Sequence, residues 1–226
     1  MLSGRRAIVV GNDEISAGIA RRFSLEGARV VVVESDRNME AALRDLGALD
    51  VLVCNLLPDS RPCALEQLEG PVLHESLACV RKTLSVMQAS LEHLRASGRG
   101  RIVLIGHRYG ENVSEALGAY NAAAWALVGL ARSAAVEWGQ HQIATNVLLP
   151  VANTIEFQSA RTRRPAVIDR LVSQLPLGRV GDPVDDIGGA AVFLASEAAC
   201  FINGQVIHAD GGQHVAGPVL NPARFI

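Results

Sequence analysis

The chain has 226 residues, 49% hydrophobic and 19% charged, with 21 glycines and a mean hydropathy of +0.22. This is enough apolar content for one domain over residues 1–226 to bury a sizeable core, and it excludes disordered and fibrous classes. Basic residues number 21 against 23 acidic ones and form no long run, so the formal charge of −2 offers no case for nucleic acid.

The amino-terminal "MLSGRRAIVVG" enters a strand directly, with no signal-type apolar stretch. "RAIVVG" and "ARVVVVES" are β-branched runs, and the segment between them, "AGIARRFSLEG", has helical spacing at Ile19, Phe23 and Leu25. That is a βαβ unit, which implies a parallel sheet with a right-handed crossover. A helix "NMEAALRDLG" then leads to the buried strand "LDVLVCN". Between Leu77 and Leu94 the residues Leu77, Val80, Leu84, Met87, Leu91 and Leu94 recur three and four apart, a single apolar stripe on a long helix. The strand "RIVLIG", an alanine-rich helix beginning near Tyr120, and the strand "IATNVLLP" follow. The last third predicts helices around "PAVIDRLVSQ" and "VDDIGGAAVFLASE" and a final strand "GQVIHADGG". The alternation describes a doubly wound α/β domain with no repeat or linker. Cys54, Cys63, Cys79 and Cys200 have none of the short paired spacings of zinc or redox sites, and no apolar run is long enough to span a bilayer. A cytoplasmic protein with reduced thiols and no membrane partner is expected.

Several stretches together resemble the short-chain dehydrogenase/reductase family. They are Gly11 after the first strand, "LDVLVCN", "GRIVLI", Tyr120 thirteen residues after His107, "ATNVLLP", and the long segment "PLGRVGDPVDDIGGAAVFLASEAACFINGQVIHADGG". The resemblance implies a Rossmann-like parallel sheet. It covers nearly the whole chain, but between Glu34 and Asp50 there is room for only one short helix, where the family places a further strand and helix. The fold is therefore trimmed after the second strand.

The family's cofactor loop carries three glycines between the first strand and helix, so that backbone amides approach a diphosphate. Here it reads "GNDEISAGIA": Gly11 is kept, Asp13 and Glu14 are anionic, and Gly18 is open to a helix-packing reading. Glu34 closes the second strand, where an acidic residue of the family holds the adenosine ribose. "CNLL" sets Leu56 and Leu57 where the family has small residues. By spacing, the family's serine, tyrosine and lysine correspond to His107, Tyr120 and Ala124. Its helix asparagine corresponds to Cys79, or to Val80 if the loop differs by one. Only the tyrosine remains. Without a neighbouring cation its pKa stays near ~10, a poor base at neutral pH, although His107 could pair with it chemically or simply as a packed partner. Ser114 reads as loop.

The leading expectation from the residues is a non-catalytic subunit that takes no cofactor itself. Its assembly would be with a catalytically active relative carrying NAD, or with another copy, through the small-residue helix after Tyr120. Two alternatives stand beside it: a cofactor-independent enzyme using Tyr120 and His107, and a divergent NAD(P)-dependent oxidoreductase.

Overall fold

The computed structural model describes residues 1–58, 62–107 and 115–216. Six parallel strands form one sheet: β1 (Arg6–Val10), β2 (Arg29–Val33), β3 (Val51–Cys54), β4 (Arg101–Ile105), β5 (Ala144–Pro150) and β6 (Val206–Ala209). Their spatial order is β2-β1-β3-β4-β5-β6, so the chain reverses its lateral direction at β1, which pairs with β2 on one side and β3 on the other. Such a reversal opens a crevice at the carboxyl ends of β1 and β3. The trimming read from the sequence is present. Only a short 3-10 turn and α2 (Met39–Leu46) connect β2 to β3.

Strands β3, β4 and β5 are buried along their whole length because helices cover both faces of the sheet, which is why they read as unbroken apolar runs. One face is covered by α2, α3 (Gly70–Ser97) and α4 (Gly118–Trp138), which contribute Met39, Leu43, Met87, Leu94 and Val128 to the core there. The other is covered by α1 (Glu14–Leu25) and α7 (Gly188–Ala195), contributing Ile19, Phe23, Val192 and Leu194. Gly18 belongs to this packing. A Cβ there would stand 2.5 Å from the Pro183 carbonyl oxygen, in the π-helical turn Pro183–Ile187 that precedes α7.

The structure departs from the sequence reading in three places. The apolar stripe of α3 overlaps its buried face only in part: Met87 and Leu94 are buried, together with Cys79, Thr83, Val86 and Ser90, whereas Leu77 is exposed and Val80, Leu84 and Leu91 are only partly covered. Where α3 meets α4, the small Cys79 packs against Ala123 and Leu127, and the larger Leu77 and Leu91 lie toward the flank. Leu25 lies outside the core of α1 at 70% exposure, since the helix turns its Ile19 and Phe23 side to the sheet. A short helix, α5 (Ile155–Arg163), precedes α6 (Pro165–Ser173). It buries no residue, so it has no apolar periodicity to find. A four-residue helix, α8 (Gln213–Ala216), ends the described chain. Among the described residues no helix is long and apolar enough to cross a membrane.

Candidate active site

A cleft of about 280 Å³ opens at the strand-order reversal. Its walls are Asn12 after β1, Glu34 after β2, Asn55 to Pro58 after β3, and facing residues of α3 and the start of α4. Tyr120, in the first turn of α4, is buried to 7% exposure and lines it. Glu34 stands exposed on the opposite side. Two site residues proposed from distant parts of the sequence thus share one cavity.

His107 meets the Tyr120 ring edge-on, with centroids 5.4 Å apart and planes at 89°. The imidazole is partly buried and packs against the tyrosine from the end of β4. Ala124 is 3% exposed inside α4. Of the two candidates for the asparagine position, Cys79 lines the cleft, and it packs against Ala123 and Leu127 of α4. Burial pushes its thiol up to about 11, so it stays protonated and inert at neutral pH. Ser114 lies outside the described residues.

The loop after β1 is held by its own acid. Asp13 is the N-cap of α1: Oδ1 accepts from the Ser16 amide and the Ser16 hydroxyl, both at 2.8 Å. Asn55 donates its Nδ2 to both Asp13 oxygens at 2.8 Å, tying the ends of β1 and β3 together. Gly11 has φ +145°, and a Cβ would stand 2.9 Å from the Asn55 carbonyl oxygen, so only glycine fits this crossing. Among the described residues the amides of Glu14 and Ile15 find no acceptor. The helix therefore keeps two donors for an anion, while the Asp13 carboxylate takes the third and places a negative charge beside it. Leu56 and Leu57 line the cleft and pack partly on the core.

Among the lining residues that escaped the sequence reading are the polar Asn55, Glu75, Ser76 and Lys82. For Asn55 the partner was Asp13, 42 residues away, which no local pattern signals. For Lys82 a signal existed, because it is the only lysine in the chain.

Comparison with known proteins agrees with this geometry. The family model described as enoyl-(acyl carrier protein) reductase matches residues 33–214. Gluconate 5-dehydrogenase of Gluconobacter oxydans (strain 621H) is 33% identical over 247 residues, covering 93% of this chain and 95% of the relative. The 2-dehydro-3-deoxy-D-gluconate 5-dehydrogenase of Bacillus subtilis (strain 168) is 28% identical, covering 93% and 95%. A Beutenbergia cavernae structure, assigned as an NAD(P) dependent gluconate 5-dehydrogenase with NADP bound at low occupancy, superposes with a TM-score of 0.83. It is 26% identical and covers 95% of this chain and 98% of that one. These relatives are named dehydrogenases, one with a dinucleotide in place. They overturn the expectation of a non-catalytic, cofactor-free subunit built around an active partner. The physical reason is visible in the cleft: despite the altered loop and Ala124, the fold keeps Glu34 and Tyr120 at one opening, with Gly11 next in the chain to its wall residue Asn12. With a family model spanning most of its length and a relative one-third identical across nearly all of it, this chain belongs to the short-chain dehydrogenase/reductase family of oxidoreductases.

Proposed function

We propose that this chain is an NAD-dependent oxidoreductase that interconverts a secondary alcohol and a ketone on a small polyhydroxylated acid or polyol. The observation that carries the reading is Tyr120 in the same cleft as Glu34, at the point where the strand order reverses. A nicotinamide dinucleotide suits the residues present. Glu34 can accept from ribose hydroxyls, the amides of Glu14 and Ile15 can face the diphosphate, and the bare backbone of Gly11 permits close approach. When bound, that group supplies the hydride. The chain's own part is to hold the alcohol against Tyr120, whose hydroxyl gives a proton to the nascent alkoxide in reduction and takes it back in oxidation. Glu34 repels a 2′-phosphate, which favours NAD over NADP. The polar rim of Ser76, Glu75 and Lys82 suits a substrate rich in hydroxyl groups, in keeping with the sugar acids named for the relatives.

Members of the family commonly oligomerise. For this chain we infer self-association through the outer faces of α3 and α4, where Leu77, Trp125 and Val136 stand exposed at 36%, 46% and 83%. Calorimetric titration with NADH and NADPH, with the mass in solution recorded on the same sample, tests both points. NADH binding more tightly than NADPH to a dimer or tetramer, followed by turnover with a panel of sugar acids and polyols, is the expected result. No binding of either dinucleotide at millimolar concentration would overturn it.

Asp13 gives a sharper check. Its carboxylate faces the diphosphate position while serving as the cap of α1. Asp13→Ser keeps a capping oxygen and removes the charge. Two unit charges ~4 Å apart in water repel by about 1 kcal/mol, so the variant is expected to bind NADH roughly five-fold more tightly. Unchanged affinity would place the diphosphate away from the start of α1.

A further inference from the structure

A sugar acid and a polyol of the same length differ by one charge, and a cleft can sense that difference only if it holds a cation where the substrate lies. The chain has a single lysine, Lys82, and it lines this cleft together with Tyr120. The other charged groups of the wall are Glu34 and Glu75, so among the described residues Lys82 is the only cation there.

Lys82 lies on α3 three residues after Cys79, which packs against Ala123 and Leu127 of α4. Ala123 is in turn three residues after Tyr120, so both pairs are helical neighbours. Side chains on a helix lean toward its amino terminus, which carries the long Lys82 stem back toward the Cys79 level, where the two helices meet. Its charge is felt at Cys79, where it works against the upward push of burial on the thiol. Lys82 is exposed, and among the described residues its ammonium has no hydrogen-bond or ion-pair partner. Three donors and a full charge are therefore open to an anion from the cleft. That anion is not the diphosphate of the dinucleotide. The amides of Glu14 and Ile15 that suit a diphosphate begin α1, which covers the opposite face of the sheet from α3 and α4.

We propose that Lys82 binds the carboxylate of the substrate, so that this chain selects hydroxylated sugar acids over neutral polyols of the same length. The inference rests on the oxidoreductase reading above and narrows its substrate class. With the carboxylate on Lys82, the two glutamates of the wall repel that same end of the substrate from every other position in the cleft. The acid is thereby oriented, with its carboxylate on α3 and its hydroxylated carbons left for Tyr120 at the start of α4. The ammonium takes no part in proton or hydride transfer. Its contact is the same before and during the reaction, so its loss belongs in KM and not in kcat.

Gluconate and glucitol are the probes, because they differ only in carrying a carboxylate or a hydroxymethyl group at the first carbon. Calorimetric titration of each into the chain, with and without NAD, is compared with steady-state turnover for the parent, Lys82→Met and Lys82→Arg. The parent is expected to bind gluconate about ten-fold more tightly than glucitol, the lower end of what a hydrogen bond to a charged group contributes. That preference should vanish in Lys82→Met, persist in Lys82→Arg and shrink as ionic strength is raised. In turnover, the KM for gluconate should rise by the same factor in Lys82→Met while kcat changes little. A parent with no preference for gluconate, or a preference that survives Lys82→Met, would overturn the proposal. So would a fall in NADH affinity with the gluconate preference intact, which would assign the lysine to the phosphates of the cofactor. Lys82 is exposed, so the substitution removes no core contact. Should Lys82→Met fold poorly, acetylation of the folded protein removes the same charge from the only ε-amine, the other amine being the Met1 terminus bound to Glu26. Equal turnover of gluconate and glucitol would sink this proposal and leave the oxidoreductase reading standing. A preference in binding that depends on Lys82, without turnover of either compound, would do the reverse.

Discussion

Tyr120→Phe is expected to lower turnover by about 10²- to 10⁴-fold while leaving dinucleotide affinity nearly unchanged. The substitution deletes one oxygen. The ring stays in the first turn of α4 and keeps its edge-on contact with His107, so the cleft wall is preserved. Phenylalanine cannot donate to an alkoxide or accept from an alcohol, and the barrier rises by the whole contribution of the proton transfer. Steady-state kinetics with NADH titration on the same preparation separates the outcomes. A large fall in kcat with an unchanged dinucleotide Kd supports the assignment. Turnover within a few-fold of the parent would move the proton transfer to another group, and His107 would be the first to examine. This prediction reverses the reading in which the tyrosine is kept merely by packing, because a packed relic could lose its hydroxyl without consequence for catalysis.

The sheet was legible because its strands are buried on both faces: "RAIVV", "VLVC" and "ATNVLLP" carry no alternation to confuse, and their lengths and bounding turns identify them. The trimmed connection after β2 could be counted from the spacing between Glu34 and Asp50, and the structure has only a 3-10 turn and α2 there. The face of α3 was legible only in part, through Met87 and Leu94. Periodicity finds apolar residues, but α3 also turns Cys79, Thr83 and Ser90 inward, and Cys79 meets Ala123 and Leu127, which another part of the chain supplies. The site failed in the same manner. Asp13 read as a charge opposed to a diphosphate, and it is also the cap that fixes α1 and the clamp that receives Asn55. Ala124 read as a lost cation, and the only lysine sits on a different helix facing the same cleft.

The largest expected effect on stability is at the far end of the sheet from the cleft, at Asp50. Its side chain is fully buried and its carboxylate accepts from the Arg6 amide at 2.9 Å, Arg6 Nε at 3.0 Å and Arg99 Nε at 3.1 Å. Its backbone bonds to Arg6 and Arg101 as well, so one residue joins the amino-terminal ends of β1, β3 and β4. Asp50→Asn keeps the shape and deletes the charge that the two guanidinium groups surround. Breaking a buried pair costs about 3–5 kcal/mol, but Arg6 and Arg99 are 35% and 44% exposed and can turn to water, so about 2–3 kcal/mol is the expected loss. For a chain of this size that lowers Tm by roughly 5–10 °C. Burial alone would raise the Asp50 carboxyl, yet the hydrogen bonds from Arg6 and Arg99 outweigh it and hold the group below the usual carboxylate range. A depressed folded value means the stabilisation is fully present above the unfolded value of ~3.9 and is lost as pH falls through the folded one. Denaturant unfolding should therefore show a constant gap between parent and variant across neutral pH that closes in acid below pH ~4. Asp186 supplies the contrast. The hydrogen bond from Arg179 lowers its carboxyl to about 2, but that arginine is 59% exposed and stands in solvent. Asp186→Asn is expected to cost far less than Asp50→Asn, because the Arg179 it leaves behind is already hydrated, whereas at Asp50 the variant leaves an uncharged amide in a buried socket shaped by two cations. Equal losses at the two sites would show that the charge pairing, and not the burial, sets the cost.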